Sequence, residues 1–369
     1  MAVKKGIFID FTIIIVAFVI MSLFCMWTSS YYAGLRIYGD GLFFIKRHVL
    51  MLIVGLFIYR FCAKTNVRQL LSVGFGMHLI SMVLLLLVFF PGLGIVVNGA
   101  RQWLNLGVFR FQPSEWAKLT LLVYLTAEFT RIALDKWGEN KTFYIRRSLS
   151  VTGLTAFLVL LEKDFSTALF MLVMYSVLYF IAMPKLTYFW IATSVSVLAI
   201  ALFLNSGAVY RVHRLQQWVN FISGKSAPVS QLKFSLLSFS HGGNFGVGFG
   251  AGEYKKMLPE AHTDFIFSVV GEEMGFLFVL LIVALFVLVL IKLMFMMKSA
   301  VDAYQFYFTV LAMTLIIGQA IINIGVTLGI FPITGMTLPI ISYGRTSGIM
   351  FMLLFGLLRS VEKDMLRGG

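Results

Sequence analysis

Charge is what this chain has least of: 12% of its 369 residues are Asp, Glu, Lys or Arg, against 60% hydrophobic residues and a mean hydropathy of +0.92. So few charges cannot cover so much apolar side chain in water, which excludes an ordinary soluble domain. Acidic residues are scarcer still, 16 against 30 basic ones, leaving a formal net charge of +14. There are only two cysteines, Cys25 and Cys62, both in apolar runs and at opposite ends of the expected topology. Neither a disulfide nor a cysteine metal site is implied. The five histidines show no helical ligand spacing of the H-E-x-x-H kind, so spacing gives no metal site. Linkers rich in proline, serine or charge are missing, as are internal repeats and low-complexity tracts. Residues 1–369 therefore read as a single integral membrane domain.

What is present is a series of long apolar runs, roughly 7–28, 48–63, 71–90, 114–133, 148–161, 165–183, 187–205, 265–297, 303–330 and 341–360. They predict an all-α polytopic membrane protein with about ten transmembrane helices. An even number places both termini on one side. Lys4 and Lys5 precede the first run, which is too long for a signal-peptide core and lacks a small-residue cleavage site, so it is expected to stay as an anchor. With both termini cytoplasmic, Arg60, Lys64, Arg68, Lys292, Arg359 and Lys363 are among the cations that fall inside, as the positive-inside rule requires. Many cations nevertheless fall outside, among them Arg101, Arg110, Lys163, Arg211, Arg214 and Arg345. Singly, each would be solvated or meet anionic lipid head groups; together they suggest an anionic ligand at the outer face.

The stretch 258–267, Leu-Pro-Glu-Ala-His-Thr-Asp-Phe-Ile-Phe, sets Glu260, His262 and Asp264 where a helix enters the membrane. Thr263 and Asp264 are also good N-cap types, and on this stretch alone Asp264 reads equally as a helix cap or as a catalytic carboxylate. Glu272 and Glu273 follow about 12 Å further along the axis. Carboxylates inside a span mark functional or buried-pair positions.

Residues 91–113 form an outer interfacial loop whose aromatic residues suit the membrane boundary, with Pro113 placed for a helix first turn. Glu115 and Lys118 follow on one helix face. They make a simple i,i+3 ion pair on one reading, and on the other Lys118 joins Arg101 near a bound phosphate. Glu162-Lys163-Asp164 interrupts an apolar stretch and marks either a break within one span at membrane depth or, the expected choice, a turn between two short spans at the outer surface, leaving Asp164 a candidate to face the same cavity as Asp264. The large extracytoplasmic loop 207–262, between the seventh and eighth spans, carries Arg211 and Arg214, which at i,i+3 can reach one anion from one helix face. Its glycines, Gly242 to Gly252, do not make a dinucleotide fingerprint, because position 253 is Glu, and there is no P-loop. Flexible backbone, or close approach to a ligand, is their remaining use. Residues 323–344 are apolar yet broken by Pro332, Pro339 and glycines, which fits a re-entrant or interfacial loop.

Taken in order, 98–118 (NGARQWLNLGVFRFQPSEWAK), 210–215, 242–252, 258–275 (LPEAHTDFIFSVVGEEMG) and 323–344 resemble the SEDS family (shape, elongation, division and sporulation), which includes FtsW and RodA. The Pro-Glu-Ala-His-Thr-Asp wording is slightly closer to FtsW. The resemblance implies a ten-span peptidoglycan glycosyltransferase of the bacterial cytoplasmic (inner) membrane, with its active site on the outer face. Such an enzyme polymerises lipid II, the undecaprenyl-pyrophosphate-linked disaccharide pentapeptide, into β-1,4-linked glycan for cell division or elongation. The implied partners are a class B penicillin-binding protein transpeptidase, divisome or elongasome proteins and membrane lipids, with no nucleic acid. Asp264 matches the family's essential acidic residue, and Arg101, Glu115, Lys118 and Asp164 match positions tied to activity. Arg211, Arg214, Glu260 and His262 complete the expected substrate-binding set.

Forming a β-1,4 link from an α-linked pyrophosphate inverts C1, so one in-line displacement suffices, with Asp264 as general base on the acceptor 4-hydroxyl. Arg101, Lys118, Arg211 and Arg214 are the candidate cations for the departing pyrophosphate. No organic cofactor is implied. A divalent cation (Mg or Mn) held by Asp264 or Glu260 is a candidate helper, although no closed ligand set is present. Two departures from the family pattern stand out. Lys163-Asp164-Phe165-Ser166-Thr167 replaces Pro-Asp-x-Gly-Thr, and Arg345 takes the place of a small residue after Ser342-Tyr343-Gly344. The alternative reading is a lipid II flippase, for which Glu272, Glu273 and Asp10 would suit a proton- or ion-coupled carrier. A catalytically silent scaffold is the third.

Overall fold

The computed structural model describes residues 9–97, 99–107, 110–135, 138, 140–183 and 209–367, with the backbone alone for 209–214. Asp10 opens the described chain as a helix cap, its carboxylate accepting from the Thr12 N–H at 2.8 Å, and α1 (Phe11–Tyr38) follows. Next come α2 (Phe43–Cys62), the short α3 (Val67–Ser72) and α4 (Gly74–Leu87). A three-stranded antiparallel meander, β1 (Gly94–Val97), β2 (Ala100–Asn105) and β3 (Arg110–Phe111), leads into α5 (Pro113–Leu134), α6 (Lys141–Leu161) and α7 (Phe165–Ala182). Beyond the undescribed segment are α8 (Val209–Ile222), α9 (Ser230–Gly242), a single 3-10 turn (Tyr254–Lys256), α10 (Ile266–Ser299), α11 (Ala303–Thr327) and α12 (Arg345–Arg367).

Helices coincide with nine of the ten predicted runs, and the seventh run, 187–205, lies outside the described residues. By length and composition alone, α1, α6, α7, α10 and α11 are each able to cross a membrane. The others are shorter, as α4 is, or carry more charge, as α5 does with Glu115, Lys118, Glu128 and Arg131. The chain is a polytopic, all-α membrane protein. Helix α5 is its axis: from Pro113 to Phe129 nearly every side chain is buried, with α4, α6, α7, α11 and α12 packed around it. A helix enclosed on all sides needs its polar groups satisfied by neighbours. Thr120 does this with His78 of α4 (3.0 Å), whose other ring nitrogen reaches Thr155 of α6 (2.8 Å).

The meander was not foreseen. Its strands pair Gly94 with Leu104 and Leu104 with Phe111, with a register shift between Ile95 and Val96.

Helix α10 is broken where the sequence predicts one span. Gly275 has φ 76° and ψ −178°, and a Cβ there would lie 2.3 Å from the Gly246 nitrogen. The glycine-rich segment after α9 fills the break. The N–H groups of Val247 and Gly248 bond to the carbonyls of Glu272 and Glu273 (3.0 and 3.1 Å), while Phe276 N–H bonds to Gly243 O (2.9 Å). Backbone that would otherwise be stranded at membrane depth is thereby paired.

The same segment claims both carboxylates. Glu272 Oε1 accepts from the N–H groups of Glu253 (2.8 Å) and Tyr254 (3.1 Å) and faces His241 Nδ1 (3.1 Å). Glu273 accepts from Gly250 N–H (2.7 Å) and pairs with the Lys255 ammonium. Asp10, at the opposite end, pairs with the Arg359 guanidinium. The three acids considered for an ion-coupled carrier are thus bound into structural contacts.

Candidate functional site

Asp264 sits at the end of a short irregular stretch whose backbone is fixed from several directions. Glu260 holds a left-handed φ of 56°, and its carbonyl accepts from both Thr263 N–H (3.1 Å) and Thr263 hydroxyl (3.0 Å). The His262 ring lies between Phe44 of α2 and Tyr343, with ring centroids 4.3 and 5.5 Å away, and its carbonyl accepts from Tyr343 N–H at 2.9 Å. Burial holds the His262 imidazole down at about 4, so it is neutral at ordinary pH. The Asp264 carbonyl accepts from Asn323 Nδ2 at 2.9 Å. The N-cap position of α10 falls on Phe265, so Asp264 stands one residue ahead of the cap. Its carboxylate is half-buried and lies against Gly335, where an added Cβ would come within 3.6 Å of Oδ2; Gly335 has φ 87°, a conformation that favours glycine.

A second pole lies on α5. Lys118 has no exposed surface, and its ammonium donates to Glu115 Oε1 (2.8 Å) and Gln319 Oε1 (2.7 Å). The i,i+3 ion pair is therefore real, but it is also part of something larger. Gln319 Nε2 donates to the Thr337 carbonyl (3.0 Å), and Asn323, one turn further along α11, donates to the Met336 carbonyl (2.7 Å) as well as to Asp264. Two consecutive carbonyls of the 331–344 loop are thus clasped by two amides on one face of α11, and these join the Lys118 pole to the Asp264 pole. Asp164 belongs to the Lys118 pole. It caps α7 by accepting from Thr167 N–H (3.1 Å); burial pushes its carboxyl up, with Lys118 pulling it down and Glu115 pushing it up. Beside it, at the same α6–α7 turn, Glu162 is fully buried with neither oxygen bonded, and burial together with the Asp164 charge pushes it up to about 9.

Other candidates are placed differently. Arg101 is exposed on β2, its guanidinium donating to Phe89 O (3.3 Å), and no bond to the Lys118 group is found among the described residues. The hairpin that carries it is tied to the α6–α7 turn by Lys163, whose ammonium donates to Gly99 O at 2.7 Å. Lys163 has φ 69°, a value the proline ring forbids, so this turn cannot have the geometry of the family's Pro-Asp pattern. Arg211 and Arg214 lie on the α8 backbone, but their side chains are outside the described residues. Glu260 is exposed. Among the described residues no group of three or more His, Cys, Asp or Glu gathers around Asp264 and Glu260. Sequence reasoning missed Gln319. Its signal was available: Gln319 and Asn323 are polar residues four apart in an otherwise apolar run, hence on one face.

Known proteins frame this geometry. The sequence model of the FtsW, RodA and SpoVE family, described as "Cell cycle protein", matches residues 9–366. A protein of Coxiella burnetii named "Probable peptidoglycan glycosyltransferase FtsW" is 34% identical over 333 residues, covering 89% of both chains. One of the same name from Geobacter metallireducens is 32% identical, covering 92% of this chain and 90% of its own. The rod shape determining protein RodA of Thermus thermophilus superposes with a TM-score of 0.68 at 24% identity, over 96% of each chain, a likeness of fold. With nearly the whole length matched, this chain belongs to the FtsW/RodA/SpoVE family of cell cycle proteins.

Proposed function

We propose that this protein is a peptidoglycan glycosyltransferase that polymerises lipid II at the outer face of the bacterial cytoplasmic membrane, with both termini in the cytoplasm. The names of its relatives support glycosyl transfer, and the observation that carries the site is the placement of Asp264. Its backbone is bound by Asn323, and its half-buried carboxylate rests against a glycine. A carboxylate so held can take the proton of the acceptor 4-hydroxyl as its oxygen attacks the anomeric carbon in line and the pyrophosphate departs from that carbon, with inversion.

The pyrophosphate leaving group needs cations that can reach it. Arg101 is exposed and suits that role; Arg211 and Arg214 on α8 are its companions in this reading. Lys118 does not, because it is enclosed and already donates to Glu115 and Gln319. Its role in this reading is to fix Gln319, and through it the 331–344 loop. Removing one partner of so buried a pair would leave an uncompensated charge costing about 3–5 kcal/mol. His262, enclosed between Phe44 and Tyr343, likewise positions the Asp264 stretch rather than touching substrate. A class B penicillin-binding protein is the expected partner, in the divisome or the elongasome.

The test is glycan polymerisation from lipid II by the purified protein with its cognate partner. Asp264→Ala and Asp264→Asn should fold, bind the partner and polymerise nothing. Normal strands from either variant would remove Asp264 from the chemistry. Movement of lipid II across vesicles without polymerisation by the wild type would make the protein a flippase.

A further inference from the structure

The loop that meets Asp264 contains a strained residue. Ile340 has φ 65°, in the left-handed region, directly after Pro339, where a type II turn ordinarily places Gly or Asn. A buried β-branched residue there is a genuine outlier, and such a conformation persists only where its surroundings impose it. Those surroundings include two polar side chains of the first two helices. Ser22 of α1 donates its hydroxyl to the Ile340 carbonyl at 2.9 Å, and the Ser22 Oγ lies 2.5 Å from His48 Nε2 of α2. Both residues are essentially unexposed.

Proton bookkeeping fixes the tautomer. A serine hydroxyl has one hydrogen, and here it goes to the Ile340 carbonyl. His48 must therefore donate from Nε2, leaving Nδ1 as a bare acceptor, and Nδ1 is indeed buried with no bonded partner. The loop is braced nearby: Ser342 hydroxyl accepts from Leu338 N–H (2.9 Å), and Tyr343 N–H is bonded to His262 O. Three and four residues before Ile340 lie the carbonyls clasped by Gln319 and Asn323, and just before those lies Gly335 against the Asp264 carboxylate.

We infer that Ser22 and His48 are positioning residues for glycosyl transfer: a hydroxyl–imidazole clamp in the first two spans that holds Ile340 left-handed and so sets the loop against Asp264. This rests on the assignment of Asp264 as the catalytic base.

Ser22→Ala removes the donor to Ile340. His48→Gln places an amide nitrogen where Nε2 stands, whereas His48→Asn reaches only the Nδ1 position. In lipid II polymerisation with the cognate partner, Ser22→Ala and His48→Asn should lose on the order of tenfold in kcat with little change in KM, and His48→Gln should keep most of the wild-type rate. Hydrogen exchange of the purified protein should rise at 336–343 in the two impaired variants and stay unchanged at 162–167. Wild-type kcat in Ser22→Ala, or equal rates for His48→Gln and His48→Asn, would overturn the clamp; should His48→Asn fail to fold, Ser22→Ala against His48→Gln decides. If the wild type does not polymerise, or Asp264→Asn still does, the catalytic assignment falls instead. Exchange at 336–343 then still decides whether Ser22 and His48 hold the loop.

Discussion

Glu162 is the residue whose surroundings are least comfortable. It is fully enclosed at the end of α6, unbonded, and next to a second carboxyl at Asp164. Its carboxyl is pushed up to about 9 in the folded protein against an ordinary value of 4.5, so between those values the folded state holds a proton that the unfolded state has released. Stability from this group is therefore complete below about pH 4.5 and falls as pH rises toward 9. Glu162→Gln, a neutral isostere, should be more stable than wild type at pH 8 and nearly equal at pH 5, as read by thermal unfolding in detergent. A constant difference across that range would mean that Glu162 is ionised in the folded protein. At this scale the sequence was informative where charge is rare. Glu115, Lys118, Asp164 and Asp264 are conspicuous among apolar neighbours, and the first three gather around one pole. Gln319, Ser22 and His48 were passed over because an uncharged polar side chain in an apolar run raises no alarm until its partner from a distant helix is known.

Among the elements, α10 shows most plainly what periodicity cannot reveal. An apolar run from 266 to 299 reads as one helix, because nothing local to Gly275 distinguishes it from a tolerated helical glycine. The break depends on a segment some thirty residues earlier folding back to bond with it, and so does the meaning of Glu272 and Glu273, which were read as carboxylates in a span and are anchors of the glycine-rich segment. The meander was illegible for a different reason: its strands are too short for alternation to register against the loop residues between them. Gly275→Ala should be severely destabilising. Its φ of 76° with ψ −178° is essentially confined to glycine and costs about 1–3 kcal/mol for an L side chain, and its Cβ would strike the Gly246 and Phe245 backbone. Gly153→Ala, with nothing within 4 Å of the new methyl, should be harmless or slightly stabilising. Folded yield after detergent extraction checks both; equal yields would mean that the break is not required.

Across the whole molecule, the ends of the bundle are held differently. The end that carries the loops holds the half-buried Asp264 and a strained turn, while the other end is tied by ion pairs. There Lys292 of α10 donates to Glu362 of α12 (2.6 Å) and to the Ile9 carbonyl ahead of α1 (2.6 Å), and Arg359 bridges Glu362 and Asp10. Lys292→Met should lower thermal stability by about 1.5–3 kcal/mol, since Glu362 loses its buried ammonium partner and keeps only Arg359, yet leave the polymerisation rate per folded molecule unchanged. A fall in that rate, in protein shown to be folded, would mean that the two ends are coupled.

The interruption at Gly275 also bears on how the protein meets its bilayer. Residues 276–299 present an apolar face outward, with Phe276, Leu277 and Leu280 exposed, whereas 266–274 are almost wholly enclosed by protein. A membrane that thickens or thins presses on the first of these and must tilt it. The second is a separate rod, stitched to the glycine-rich segment rather than continuous with its lipid-facing half, so the Asp264 carboxylate at its head is mechanically insulated from the thickness of the membrane around it.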